Sequence, residues 1–333
     1  MVPSHPTTQS PRRGGPTVLD VYRAQRRLGT RLPKTPLLQS SWLSSIADGH
    51  VYLKVESATL TGSFKIRGAL NAALKLSEGI DSDTPTVVTA SAGNHGRALA
   101  LAAELLGLNC VVFTPQSAPM AKTNAIRRHG AILHGDCEDY DAAERQARAF
   151  ADAEGGIYLS PYNNADVIAG AGTIGLELID ALPQFDVAVV PLGGGGLASG
   201  IGLALKAAAP RVTVVGVEAE SSSPFTLSLE AGHITEITPR PSLADGLVGN
   251  LEPGSITFPL VKQVVDYVVT VSEDEIARAM KGLATEERLI VEGAGAAATA
   301  AIMAGKASAP GQRVISIVSG GNVDLPKWLF TIS

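Results

Sequence analysis

Val187-Ala188-Val189-Val190-Pro191-Leu192-Gly193-Gly194-Gly195-Gly196-Leu197-Ala198-Ser199-Gly200 reads as a buried strand, a glycine loop and the start of a helix. The strand is apolar at every position, as expected where helices cover both faces of a parallel sheet. Glycines let consecutive backbone N–H groups converge without Cβ clashes, and a helix N-terminus adds a favourable dipole. The loop is therefore built for an anion. Gly193, Gly195 and Ala198 also satisfy the G-x-G-x-x-A dinucleotide pattern, with Glu218 placed to meet a ribose. Four successive glycines instead suit a tight cup around one phosphate monoester.

Outward from this unit, strand and helix signals alternate. Strands are expected at 51–55, 86–89, 109–113, 131–133, 187–190, 212–217 and 314–318. Helices are expected at 66–76, 95–106, 120–129, 140–153, 172–181, 197–208, 273–286 and 295–304. That order implies βαβ units and an α/β fold with open parallel sheets. With 333 residues, two domains are expected. Residues 85–160 carry their own strand–helix series and read as a small domain inserted into a larger one made of 17–84 and 161–333. The cleft between them is the expected place for chemistry.

Bulk composition excludes several classes. The net charge is −5 and the basic residues are scattered, so no nucleic acid partner is expected. No apolar run reaches membrane-spanning length, and residues 1–16 read as a disordered leader without a signal-peptide core, so a cytoplasmic protein is expected. Cys110 and Cys137 are the only cysteines and read as reduced and structural. No histidine has a partner at metal-ligand spacing, so no metal site is assigned.

Two further strand-end loops carry polar groups. Ser91-Ala92-Gly93-Asn94-His95-Gly96 precedes a helix, and its side chains suit an anion, although Ser or Asn there can also be an ordinary helix cap. Ser319-Gly320-Gly321-Asn322 offers a hydroxyl at the exit of a third strand. Upstream, Thr61-Gly62-Ser63-Phe64-Lys65-Ile66-Arg67-Gly68-Ala69 places a lysine between apolar neighbours, where desolvation favours a nucleophilic neutral amine. A Schiff-base lysine together with a phosphate cradle points to pyridoxal phosphate.

On these motifs, with Lys34-Thr35-Pro36-Leu37, Ala169–Thr173, Ala244-Asp245-Gly246 and Val291-Glu292-Gly293-Ala294-Gly295, the chain resembles the fold-type II pyridoxal-phosphate enzymes. It is most similar to the threonine/serine dehydratase and serine racemase group. The resemblance implies that Lys65 bonds the cofactor's aldehyde and Phe64 packs beside it. Asn94 would meet the phenolic oxygen. Gly193, Gly194, Gly195 and Gly196, with Leu197, would hold the phosphate, and Ser319 would meet the pyridine nitrogen. Ser63, Ser91, Ala92, Gly93, Asn94 and His95 would face an amino-acid substrate. A homodimer is implied as well.

The implied activity is β-elimination from a β-hydroxy-α-amino acid such as threonine, serine or phenylserine, giving a 2-oxo acid and ammonia. Hydroxyaspartate or a hydroxyectoine-derived compound is the alternative substrate, and a racemase or a non-catalytic cofactor-binding protein ranks below. Ala92 replaces the serine that racemases of the group use as a second acid/base. Pro224 replaces the aspartate of the group's cation site, which would begin at Glu218. Pro161-Tyr162-Asn163-Asn164 and Leu247–Gly254 also depart from the pattern. The chain ends soon after the Ser319 loop, so no C-terminal regulatory domain is expected.

Overall fold

A computed structural model describes residues 15–78 and 84–333. Most of the expected leader therefore lies outside the described residues. The strands are β1 (Leu37–Ser40), β2 (His50–Val55), β3 (Thr86–Ala90), β4 (Asn109–Pro115), β5 (Ile132–Cys137), β6 (Ile157–Tyr158), β7 (Val187–Pro191), β8 (Thr213–Ala219), β9 (Tyr267–Val271) and β10 (Arg313–Val318). They form a six-stranded sheet in the order β1-β2-β10-β7-β8-β9 and a four-stranded sheet in the order β5-β4-β3-β6.

Strand alternation explains why the apolar runs are unbroken. In β7, Val187 and Val189 enter one core while Ala188 and Val190 enter another on the opposite face. β10 divides in the same way, with Val314 and Val318 on one side and Ile315 and Ile317 on the other. In the smaller sheet, Val87 and Val112 face one cluster, and Val88, Val111 and Phe113 face the second. Successive side chains point to opposite faces, so a strand covered by helices on both sides is apolar at nearly every position, and a polar exception such as Ser316 in β10 is satisfied internally, here by Thr299 Oγ1 at 3.0 Å.

One departure from the all-parallel expectation is at an edge. β1 pairs antiparallel to β2, with Leu37 opposite Lys54, whereas all the other pairs among these strands are parallel. The helix Ser41–Ala47 is too short for a crossover, so the chain turns back beside its own strand. β1, β6 and β9 are absent from the strands read off the sequence. β1 is only four residues long and half exposed, and β6 is two residues long, so neither has a period to detect.

Charges are buried where the two sheets' helices meet. Arg67, 1% exposed, forks onto Glu56 (Nε–Oε2 2.7 Å, NH2–Oε1 2.9 Å) and Glu177 (NH1–Oε1 2.6 Å, NH2–Oε2 3.0 Å). Lys54 donates to Glu177 Oε2 at 2.5 Å and to Thr35 O at 2.8 Å. Two cations and two carboxylates cancel, and their donors are directed at acceptors, which is what makes burial of the charges tolerable. The network ties β2 to the helices Lys65–Ser77 and Ala165–Ala181.

Candidate active site

Loops leaving the carboxyl ends of β3 and β10 meet the turn before helix Lys65–Ser77, and the loop after β7 is linked to Lys65 through Pro161 and Tyr162. Lys65 opens that helix, and the Thr61–Phe64 turn before it is stitched to the Ser319–Asn322 loop. Phe64 N donates to Ser319 O at 3.0 Å, Gly321 N donates to Gly62 O at 2.9 Å, and Ser63 bridges Gly320. Gly62 has φ +72°, and a Cβ there would lie 2.5 Å from Asn322 Oδ1. Glycine is required at that position twice over, by backbone sterics and by the close approach.

Lys65 Nζ donates to Pro161 O at 2.8 Å and lies 5.1 Å from the centre of the Phe64 ring. Loss of solvent pushes its amine down to about 8, and the nearby Glu292 carboxyl opposes that shift. Phe64 itself packs against the core beneath the large sheet. Ser63 is fully buried, and its Oγ has no hydrogen-bond partner among the described residues.

The glycine cup is closed around its backbone. A Cβ on Gly194 would meet Tyr162 Cγ at 2.4 Å, and one on Gly195 would meet Phe225 Cζ at 2.6 Å. Gly195 has φ +84°, and the helix Gly196–Ala208 starts immediately after it. Leu197 is buried in the core, so its side chain anchors the loop. Pro161 and Tyr162 link the cup to Lys65, one by the carbonyl that accepts from the amine and the other by a ring lying over the glycines.

Around Ser91–Gly96 the structure separates capping from binding. The helix Asn94–Leu106 has Gly93 as its N-cap, with no side-chain cap bond. Asn94 is therefore free to bond residues distant in sequence. Its Nδ2 donates to Glu292 Oε1 at 2.7 Å, and its Oδ1 accepts from Asn322 Nδ2 at 2.7 Å. Ser91 Oγ accepts from Gly93 N at 3.3 Å, which shapes the loop. Ala92 is partly buried and has no proton to transfer. His95 is buried beneath the loop, its Nε2 lies 3.3 Å from Leu159 O, and burial holds its ring at about 3, so it is neutral. It supports the loop from below.

Ser319 is buried, with its Oγ donating weakly to Ala294 O at 3.4 Å. Glu292 beside it enters the sequence reading only as part of a motif, without a role. Burial, and then the Asp245 charge, raise its carboxyl to about 7. A lone carboxylate inside the small-residue run Val291–Gly295 was the available signal. Lys122 donates to Asp245 at 2.7 Å, tying helix Met120–Arg127 to the Asp245 turn, and Arg148, Ser160 and Asn163 all donate to Glu252.

Glu218 settles the dinucleotide alternative. Its fully buried carboxylate accepts from Phe225 N at 2.7 Å and from Thr226 N at 2.8 Å and Oγ1 at 2.7 Å, so it caps the helix Pro224–Ala231. No oxygen is turned toward a ribose. Among the described residues, no group of three or more His, Cys, Asp or Glu is placed to hold a metal ion. Cys110 and Cys137 are buried and unpaired. No helix among the described residues is long and apolar enough to cross a membrane.

A half-desolvated amine, a neutral hydroxyl, an amide donor and a backbone cup fit an aldehyde-bearing pyridine phosphate. A cup in which a Cβ on Gly194 or Gly195 would collide, together with the partnerless hydroxyl of Ser63, is the structural evidence for that fit. A family model described as "Pyridoxal-phosphate dependent enzyme" matches residues 30–320. L-threonine ammonia-lyase of Thermotoga maritima is 42% identical over 93% of this chain and 76% of its own length. L-threonine dehydratase catabolic TdcB of Escherichia coli is 39% identical over 92% and 93%. Among solved structures, serine racemase from Dictyostelium discoideum aligns with a TM-score of 0.83 at 35% identity, covering 93% of this chain and 99% of that one. A threonine deaminase from T.th. aligns with a TM-score of 0.84 at 35% identity over the same shares. By sequence and by fold, the chain belongs to the pyridoxal-phosphate dependent enzymes of fold-type II.

Proposed function

We propose that this chain is a pyridoxal-phosphate dependent ammonia-lyase that converts a β-hydroxy-α-amino acid, threonine first among them, to a 2-oxo acid and ammonia. The observation that carries the reading is the Lys65 amine, depressed to about 8 beside the turn that the β3 and β10 loops meet. The relatives named for threonine dehydration agree with it.

Bound through its aldehyde, the cofactor supplies a sink for the electron pair left when Cα loses its proton. With the cofactor bound, Lys65 would hold its aldehyde carbon and, as a neutral amine, would take the Cα proton as general base. Amides of Gly193–Gly196 at the helix N-terminus hold the phosphate. Asn94 would donate to the phenolic oxygen. Ser319 offers the pyridine nitrogen a hydroxyl and no charge, so protonation of the ring is not enforced and expulsion of a β-leaving group is favoured over transamination. Ser63 and the Ser91–Asn94 loop receive the substrate carboxylate. Ala92 leaves the opposite face of Cα without an acid, so elimination outruns racemisation. In this reading the chain works as a homodimer in the cytoplasm.

Ammonia release by cofactor-loaded protein from serine, threonine, phenylserine and hydroxyaspartate in both stereochemical series tests the reading. Release from threonine is the expected result. Silence across the panel, with the cofactor's absorbance unperturbed by any amino acid, would sink it.

Capture of the cofactor should depend on pH in a defined direction. Near pH 7 an amine titrating at about 8 is neutral in roughly one molecule in ten, against roughly one in 3,000 for an ordinary lysine. The rate at which cofactor-free protein develops the bound absorbance should therefore rise as pH rises and level off above about 8. A rise that continues to pH 10 would mean an unperturbed lysine. Gly195→Ala should lower cofactor affinity and cost about 1–2 kcal/mol of stability from its left-handed backbone alone. Thermal unfolding with and without cofactor separates the two effects.

A further inference from the structure

Around Asn94 the side chains form a hydrogen-bond chain with a single direction. Arg97 NH1 donates to Asn322 Oδ1 at 2.7 Å, Asn322 Nδ2 donates to Asn94 Oδ1 at 2.7 Å, and Asn94 Nδ2 donates to Glu292 Oε1 at 2.7 Å. Asn322 Nδ2 also donates to Thr61 O at 2.8 Å. A cation stands at one end, a carboxyl at the other, and two amides lie between.

An asparagine amide has nearly the same shape either way round, so its neighbours decide which end faces which partner. Arg97 has only donors, so Asn322 must offer it the oxygen. Thr61 O can only accept, so Asn322 must offer it the nitrogen. These two constraints come from different parts of the chain and agree. The nitrogen so placed also meets Asn94, whose oxygen must then accept, and Asn94 is left with its nitrogen turned into the site. That nitrogen carries two protons, of which Glu292 uses one. Bonds in such a series also polarise one another, which strengthens the last donor.

We propose that Arg97 and Asn322 are positioning residues that set the polarity of the Asn94 amide, so that its free N–H, and not its carbonyl, is presented to the oxygen anion of the bound cofactor. This rests on the reading that Asn94 bonds the phenolic oxygen. Arg97 suits the task because no carboxylate among the described residues competes for it: its Nε has no hydrogen-bond partner there, and Arg128 is the charge acting on it. Gly62 makes room, since a side chain there would collide with Asn322. Without the relay Glu292 Oε1 alone holds the Asn94 amide, and a turned amide would set a carbonyl against an anion.

Titration of cofactor-free protein with pyridoxal phosphate, followed by absorbance and by affinity, tests this without reference to turnover. Asn322→Asp keeps the shape and the oxygen for Arg97 but faces Asn94 with a second acceptor. Arg97→Leu removes the fixed donor, and Arg97→Lys restores one. Asn322→Asp and Arg97→Leu should each weaken affinity about tenfold or more and shift the absorption maximum, as expected for loss of a hydrogen bond to a charged group. Arg97→Lys should recover both. Unchanged affinity and spectrum in Asn322→Asp and Arg97→Leu, alongside a weakened Asn94→Ala, would overturn the relay and leave the Asn94 reading standing. An unaffected Asn94→Ala would remove the reading underneath, and the proposal with it. If circular dichroism shows Asn322→Asp unfolded, the Arg97 pair decides: recovery with lysine supports the relay, and equal loss in both overturns it.

Discussion

Lys65→Ala should abolish turnover and leave pyridoxal phosphate removable by dialysis, with no absorbance from a covalent link. In the proposed mechanism two roles are lost together, because the same amine would bond the cofactor and remove the Cα proton. General-base catalysis alone contributes about 10²–10⁴ in rate. Ammonia release should therefore fall at least about 10⁴-fold, to background in an ordinary assay. The fold should persist. The substitution removes one hydrogen bond, to Pro161 O at 2.8 Å, and also relieves an amine that burial already disfavours in its charged form. A melting temperature near that of the parent, with no bound absorbance, is the expected pair of results. Retained turnover would refute the assignment, because both roles are given to this one amine.

Arg67→Ala, only two residues away, should do the reverse and act on stability first. Arg67 supplies four charge-assisted hydrogen bonds to two buried carboxylates. Without it, Lys54 faces Glu177 alone and Glu56 keeps only the Thr35 hydroxyl, at 2.6 Å. Stranding buried charge in this way costs about 3–5 kcal/mol. Denaturant unfolding of the cofactor-free protein should show a large drop in midpoint, or the folded chain should fail to accumulate. The exposed pair Lys34–Asp180 is the control, since solvent screens it and its loss should leave the midpoint in place. Equal midpoints for the parent and Arg67→Ala would show that the network contributes little to stability.

How much of this is legible before the fold varies residue by residue, for physical reasons. Buried strands announce themselves, because a strand covered on both faces is largely apolar, and β7, β8 and β10 are readable on that ground. β9, Tyr267-Val268-Val269-Thr270-Val271, carries the same signal and is nonetheless missing from the expected strands. β1 and β6 are too short to have a period. The strand-end loops are readable because glycine runs have few uses beyond close backbone approach. Helix capping is the competing explanation for Asn94, and local sequence cannot choose, since both uses need the same residue at the same place. The choice is made by Gly93 taking the cap and by Glu292, 198 positions away, taking the amide.

From the sequence alone came the α/β architecture and the cofactor class, along with the lysine as a candidate, all of which depend on order along the chain: strand, glycine turn, helix, and one amine among apolar neighbours. Tertiary structure alone decided whatever depends on residues distant in sequence. It put Glu292 and Asn322 beside Asn94, laid Tyr162 over the glycine cup, turned Glu218 into a helix cap instead of a ribose ligand, and buried Arg67 between two glutamates. Hydrogen-bond polarity and desolvation are properties of a neighbourhood. A motif names the group that will do the chemistry, but only packing fixes which way an amide faces and how readily an amine gives up its proton.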